Sequence, residues 1–329
     1  MIHDIVIIGA GPAGLTAALY AARFLRSTLV IHDGTPRAAQ IPLTRNVPGQ
    51  DAGIAGPDLL ERMARHAAQC GAQIVQGEVT DARREDGLFH LTGADGAQWR
   101  GRALIIATGV AQNQPPLDED VHQAAVDAGV LRYCPVCDGF EHRGERIAVL
   151  GCDVSGAAEA LFLAGYSRDV TLVPRRDVDL TDEERRDLEQ AGIHVLADAV
   201  TRFEPTRRHM ILHCEGGGAP LSFDVLYPAL GSRPRNQLAL RLGLETTASG
   251  KAADTAPFAT NIPGLYCAGD LVEGLDQISV AMGHGAVAAT KAHNWLRDAD
   301  GETVQALLGE DADGGHAREV DRSDRSPSQ

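Results

Sequence analysis

Apolar residues in this chain fall into two patterns. Unbroken runs of four or five occur in Asp4-Ile5-Val6-Ile7-Ile8, Leu104-Ile105-Ile106-Ala107 and Arg146-Ile147-Ala148-Val149-Leu150, each followed within two residues by a glycine. A strand wetted on one face would alternate; an unbroken run marks a strand buried on both faces, as in a parallel sheet. Strands of the same kind are expected at Ser27–Ile31, Asp169–Val173 and Asp224–Gly231, the last returning to the first sheet. Shorter strands are expected at Ile74–Gln76, Leu88–Thr92, Gln98–Arg100, His194–Leu196 and Met210–Cys214, and before Gly269-Asp270. Helical spacing covers Ala13–Phe24, Pro57–Cys70, the stretch up to Gly165, and Gln277–Leu296, which is rich in Gly and Ala. Thr181-Asp182-Glu183-Glu184 has the form of a capping box opening a helix to about Gln190.

The first strand runs into Gly9-Ala10-Gly11-Pro12-Ala13-Gly14, a G-x-G-x-x-G that opens a helix. Gly9 makes the tight turn, Gly11 lets a pyrophosphate approach the backbone, and Gly14 lets helix and strand pack closely. Asp33 ends the second strand about twenty residues on, placed to accept ribose hydroxyls. Strand, loop, helix, strand and acid agree, so a dinucleotide site is expected there. The unit recurs at Arg146–Gly156, but Asp153 stands where the second glycine should be, and an anionic side chain there opposes a pyrophosphate. The following strand ends at Pro174-Arg175-Arg176, a basic pair suited to a 2′-phosphate or, alternatively, plain surface arginines. Together these predict an α/β protein with two Rossmann-like dinucleotide-binding domains, the second inserted in the first. Pro115-Pro116 and the acidic Asp118-Glu119-Asp120 read as a surface crossing. The expected divisions are 1–113 and 238–297 for the first domain and 114–237 for the second. A disordered acidic tail is expected over 298–329.

The chain has 329 residues and a formal net charge of -15. That balance argues against nucleic acid and anionic membrane surfaces as partners, while leaving room for anionic cofactors held locally. The start Met1-Ile2-His3-Asp4 is acidic and enters a strand at once, and no apolar run is long enough to cross a bilayer, so a cytoplasmic protein is expected.

Between the two units lies Cys134-Pro135-Val136-Cys137-Asp138-Gly139. A Cys-x-x-Cys pair reads as half a zinc site, as two buried structural thiols, or as a redox dithiol. Zinc needs a second ligand pair, and Cys70, Cys152, Cys214 and Cys267 are isolated from one another, so no metal is expected. The flanking dinucleotide-type sequence favours the redox reading.

These motifs, with Ala107-Thr108-Gly109 and Gly264–Asp270 leading into the last helix, resemble the low-molecular-weight thioredoxin reductase family over residues 3–297. The resemblance implies an FAD-dependent thiol–disulfide oxidoreductase, most simply an NADPH-dependent reductase of a thioredoxin-like protein, and a homodimer. It implies that Cys137 faces the flavin, Cys134 attacks the partner disulfide and Asp138 is their acid-base. It implies FAD contacts by Gly9, Gly11, Pro12, Ala13, Gly14, Asp33, Gln40, Asn46, Thr108, Gly109, Gly269, Asp270, Gln277 and Ile278, with Arg175 and Arg176 left for a nicotinamide nucleotide. A helix-capping role is the alternative for Asp270. Asp153, Leu180 after Arg175-Arg176, the reduced Arg37–Gln40 loop and Asp276 before Gln277 depart from the family pattern. They predict NADPH to be a poor donor. They also open a second reading, a flavin-dependent oxidase of a small dithiol, and a third, a redox sensor without turnover. Trp295 reads as an anchor at the end of the final helix.

Overall fold

The structure, a computed structural model, describes residues 1–253 and 260–302. In chain order the first elements are β1 (Ile2–Ile8), α1 (Pro12–Arg23), β2 (Thr28–His32), α2 (Gly56–Gln69), β3 (Gln73–Gln76), β4 (Val79–Glu85), β5 (Leu88–Gly93) and β6 (Gln98–Ile106). They form one sheet in the order β3-β2-β1-β6-β5-β4. The chain then continues through β7 (Val110–Gln112), α3 (Glu119–Asp127), α4 (Pro135–Asp138), β8 (Arg146–Leu150), α5 (Val154–Ala164), β9 (Asp169–Val173), α6 (Asp182–Gln190) and β10 (His194–Val195). An antiparallel β11 (Val200–Pro205), β12 (Met210–Cys214) and β13 (Leu221–Phe223) follow, then β14 (Val225–Pro228) and β15 (Ser232–Pro234). The end of the chain supplies α7 (Gln237–Arg241), β16 (Leu265–Cys267), which joins the first sheet beside β6, and α8 (Ile278–Ala299).

The continuous apolar runs are explained by burial on both faces. Ile5 and Ile7 pack under α1 and α8, whereas Val6 and Ile8 face a second core with Phe89, Leu91 and Leu265. β8 does the same in the second sheet, where Ile147 and Val149 lie on the α5–α6 side and Ala148 and Leu150 face the antiparallel strands. The Gly and Ala content of α8 serves its contact with α1: Ala17, Ala18, Ala288 and Ala292 are fully buried, and a Cβ on Gly285 would run into the Ala13 carbonyl. Small residues let the two helices approach closely, with the N-terminus of α1 just past the C-terminal end of the interior strand β1.

Several expectations change. Asp224–Gly231 does not return to the first sheet: β14 pairs in parallel with β8, so the second sheet reads β10-β9-β8-β14. An apolar run announces a buried strand without saying which sheet takes it. The return runs instead through the two-stranded β7–β15 ribbon, and β16 then completes the first sheet. Gln98–Arg100 and Leu104–Ile106 are one strand, β6, whose first half pairs with β5 and second half with β16. The acidic stretch after Pro116 is not a bare crossing, because Glu119 and Asp120 form the first turn of α3, where acids suit the helix N-terminus. The last helix runs on through Asp298 and Ala299, and Asp300 pairs with Arg26 and Arg102. The expected tail therefore does not start at 298; its part over 303–329 lies outside the described residues. Trp295 packs inside the chain, its ring lying over Gly264.

Candidate functional site

The loop after β1 is shaped as its glycines require. Gly9 has φ +107°, and a Cβ there would meet the Ala107 carbonyl; one on Gly14 would meet the Gly9 carbonyl. Among the described residues, and its two chain neighbours aside, Gly11 has no heavy atom within 4 Å of the position a Cβ would take, and as N-cap of α1 it leaves the helix N–H groups without any side-chain cap. The first turn also holds no acid. This is a bare, partly positive helix end, suited to an anion.

That end opens into a cleft of about 500 Å³ lined by Gly9, Gly11, Pro12, Ala13, Asp33, Thr108, Gly109, Gly269, Asp270, Gln277 and Ile278. Asp33 accepts from the Thr35 N–H at 2.9 Å and lies 3.6 Å from Arg235 Nη1. Burial pushes its carboxyl up, but the Thr35 hydrogen bonds and Arg235 outweigh this and hold it below the usual range, so it stays an ionised acceptor. Asp270 caps no helix. Its carboxylate pairs with Arg37 Nη2 at 2.8 Å, and burial raises its pKa against the pull of that arginine.

A second cavity, of about 350 Å³, shares Gln277 and Ile278 with the first and adds Gln40, Asn46, Cys134, Cys137 and Asp138. Cys134 and Cys137 are joined by a disulfide, while Cys70, Cys152, Cys214 and Cys267 are free thiols. Cys134 is the N-cap of the single-turn α4, whose Pro135 takes the first helical position. Asp138 accepts from the Tyr227 hydroxyl at 2.7 Å and lies 3.5 Å from Arg132 Nε. Burial raises its pKa, although Tyr227 and Arg132 oppose the shift, which leaves a carboxyl readier than usual to hold a proton in the cavity that the two cysteines line.

Arg175 and Arg176 are not brought to these cavities. They line a third cleft, of about 490 Å³, with Cys152, Asp153 and Ser155. There Asp153 is the N-cap of α5, its Oδ1 accepting from the Ser155 and Gly156 N–H groups at 3.1 and 3.4 Å. Gly151 and Gly156 pack backbone to backbone, so the outer glycine positions of the repeat keep their roles. Arg176 Nε donates to Cys152 Sγ at 3.0 Å.

The chain matches the pyridine nucleotide-disulphide oxidoreductase description over residues 3–285. The chain belongs to that family. The oxidoreductase is 32% identical to a thioredoxin reductase of Coxiella burnetii, covering 89% of this chain and 96% of the relative. It is also 32% identical to one from Listeria monocytogenes, over 90% and 95% of the two chains. The thioredoxin reductase structure from Streptococcus pyogenes superposes with a TM-score of 0.82 at 26% identity, covering 90% of this chain and 99% of that one. Membership of the family implies FAD, and the first cleft fits it: an uncapped helix end, a backbone clear at Gly11 and an ionised acid at the end of β2.

Sequence reading missed several groups in these cavities. Arg132 and Arg235 lie in loops without a periodic signal, Thr44 forms an isolated bridge with Ile54, and Arg37 opens the short 3-10 helix Arg37–Gln40. Tyr227 was legible only as one more apolar position, and its hydroxyl is what matters. Glu159, on α5, lines the second cavity; its Oε2 has no hydrogen-bond partner among the described residues, and burial pushes its pKa up to about 7. The folded protein therefore keeps a proton there that the unfolded chain has lost above about pH 4.5. This contribution to stability is present at low pH and is lost as pH rises through about 7, amounting to about 2 kcal/mol after allowing for partial solvent contact. Thermal melts at pH 5.5 and 8 should show Glu159→Gln gaining on the unaltered protein at the higher pH. An equal pH dependence in both proteins would contradict this assignment.

Proposed function

We propose that this flavoprotein exchanges electrons with the disulfide of a thioredoxin-like protein through Cys134 and Cys137, as a cytoplasmic homodimer. The observation that carries the reading is the disulfide itself, in a cavity that shares Gln277 and Ile278 with the cleft that fits FAD and is also lined by Asp138. FAD, when bound, supplies a two-electron exchange with this pair. Gly9 to Gly14 would hold its pyrophosphate, Asp33 a ribose, and Asp270, Asn46, Gln40, Thr108, Gly109, Gly269, Gln277 and Ile278 the rest.

In the reductive direction the Cys134 thiolate attacks one sulfur of the partner disulfide, forming a mixed disulfide and expelling the other sulfur as a thiolate. Asp138 supplies the proton that this leaving sulfur takes. Asp138, now ionised, takes the proton of Cys137, whose thiolate attacks Cys134, restoring the internal disulfide and releasing the second partner sulfur as a thiolate. Two electrons pass from the pair to the partner. Val136 and Phe140 flank the pair on the exposed surface, with the Arg143 guanidinium 3.4 Å from the Phe140 ring centre, and offer an apolar face for a protein partner.

The volume of the second cavity favours a second reading, in which a small dithiol enters beside the pair and is oxidised by it. Anaerobic mixing of the reduced flavoprotein with an oxidised thioredoxin and, separately, with small disulfides distinguishes the two. Reoxidation by micromolar thioredoxin supports the first reading; response to small thiol compounds alone overturns it in favour of the second.

A further inference from the structure

Gln277 touches the redox centre as well as the flavin cleft. Its Nε2 lies 3.2 Å from Cys134 Sγ and 3.4 Å from Cys137 Sγ. Its Oε1 accepts from Asn46 Nδ2 at 2.9 Å, and Asn46 Oδ1 accepts from the Thr44 hydroxyl at 2.9 Å. Disulfide sulfurs offer lone pairs and no protons, so this chain of partners has one consistent direction, with the Gln277 N–H groups aimed at the sulfurs. Reduction of the pair takes two electrons and one proton and leaves one thiol and one thiolate. A thiolate is a stronger acceptor than a disulfide sulfur, so an N–H aimed there favours the reduced pair.

The loop that carries Gln277 is tied down from one side, by residues 247–252. The Ala252 N–H donates to the Leu271 carbonyl and the Glu273 N–H to the Ala252 carbonyl, both at 2.8 Å. The Glu273 carboxylate accepts from the Thr247 and Ser249 hydroxyls. These contacts fix the start of the loop. Its end is fixed by Lys251, whose Nζ meets Asp276 Oδ1 at 2.7 Å, one residue before Gln277. The pair is mostly shielded, with 12% of the Lys251 side chain and 25% of the Asp276 side chain exposed. Lys251 is one of only two lysines in the chain.

We infer that Lys251 is a positioning residue for the redox centre: its ion pair with Asp276 holds Gln277 so that its amide N–H groups rest on the two sulfurs. The inference rests on the reading of Cys134 and Cys137 as a redox pair. It assigns a role in that chemistry to a residue that touches neither cysteine.

The test is the midpoint of the Cys134–Cys137 equilibrium, read by alkylation and mass spectrometry in the full chain as purified. Glutathione buffers of graded thiol-to-disulfide ratio supply and accept the electrons. Gln277→Leu is expected to shift the midpoint about tenfold toward the disulfide, the loss expected for one hydrogen bond to a charged group. Lys251→Met should shift it the same way by about threefold, Lys251→Arg should bring it back to within about twofold, and the Gln277→Leu/Lys251→Met pair should go no further than Gln277→Leu alone. Lys251→Met/Asp276→Asn removes both charges, so no buried charge is left unpaired, and it should still match Lys251→Met in midpoint. An unchanged midpoint in Lys251→Met, or simple additivity with Gln277→Leu, overturns the role of Lys251. Failure of the unaltered pair to cycle at all overturns the redox reading instead.

Discussion

Changing Cys137 to serine is expected to lower disulfide exchange by at least about a thousandfold, and changing Cys134 to serine by as much. The two sulfurs act as a unit, because each needs the other to complete the exchange, and removing either member of such a unit costs nearly the whole effect. Loss of fold would not account for it. The disulfide closes a loop of only four residues, and a cross-link that short contributes about 2 kcal/mol on the loop-entropy account. The hydrophobic cores on both sides of each sheet are untouched by the change. Serine at Cys214, at the end of the central strand of the antiparallel sheet, should leave turnover within about twofold; at the buried Cys267 it should cost stability rather than rate. Steady-state rates with a thioredoxin substrate, beside thermal melts of the same proteins, decide this. A Cys137→Ser protein that retains turnover would remove the dithiol from the mechanism.

The first dinucleotide unit was fully legible, because each of its demands falls on a residue type with one physical use: a turn at Gly9, bare backbone at Gly11, close packing at Gly14, an acceptor at Asp33. The redox pair was legible from its spacing. Sheet membership was not, since β14 and β6 carry equally apolar runs and only the tertiary pairing assigns them to different sheets. Nor were the contacts that tune the centre. Tyr227 on Asp138, Arg37 on Asp270 and Lys251 on Asp276 join residues far apart in the chain, and a lone polar side chain gives no sign of the partner it will meet.

NADPH is expected to reduce the flavin slowly, and Asp153→Gly to strengthen its binding about a hundredfold. The two helix ends that could hold a pyrophosphate differ in one respect. Gly11 leaves the N–H groups of α1 free, whereas Asp153 fills its own helix end, its carboxylate held by the Ser155 and Gly156 N–H groups. An incoming phosphate must displace that carboxylate or sit beside it. Two unit charges about 4 Å apart at an effective dielectric near 20 repel by roughly 4 kcal/mol, and salt and partial exposure reduce this to about 3 kcal/mol. At about 1.4 kcal/mol for each tenfold, the penalty is about two decades in affinity. Arg175 and Arg176 stand at the end of β9 for a 2′-phosphate, but Arg176 already donates to Cys152, and Leu180 is packed into the core of the same unit. The substitution is mild in its own right, because replacing an aspartate N-cap with glycine costs only a few tenths of a kcal/mol. Asp153→Asn separates the causes: it keeps a side chain at the approach and removes the charge, so it should recover part of the gain if repulsion dominates and little if bulk does. Anaerobic stopped-flow of flavin reduction against NADPH concentration gives all three values. Rapid reduction of the unaltered protein by micromolar NADPH would show that the carboxylate yields its helix end to the nucleotide without cost.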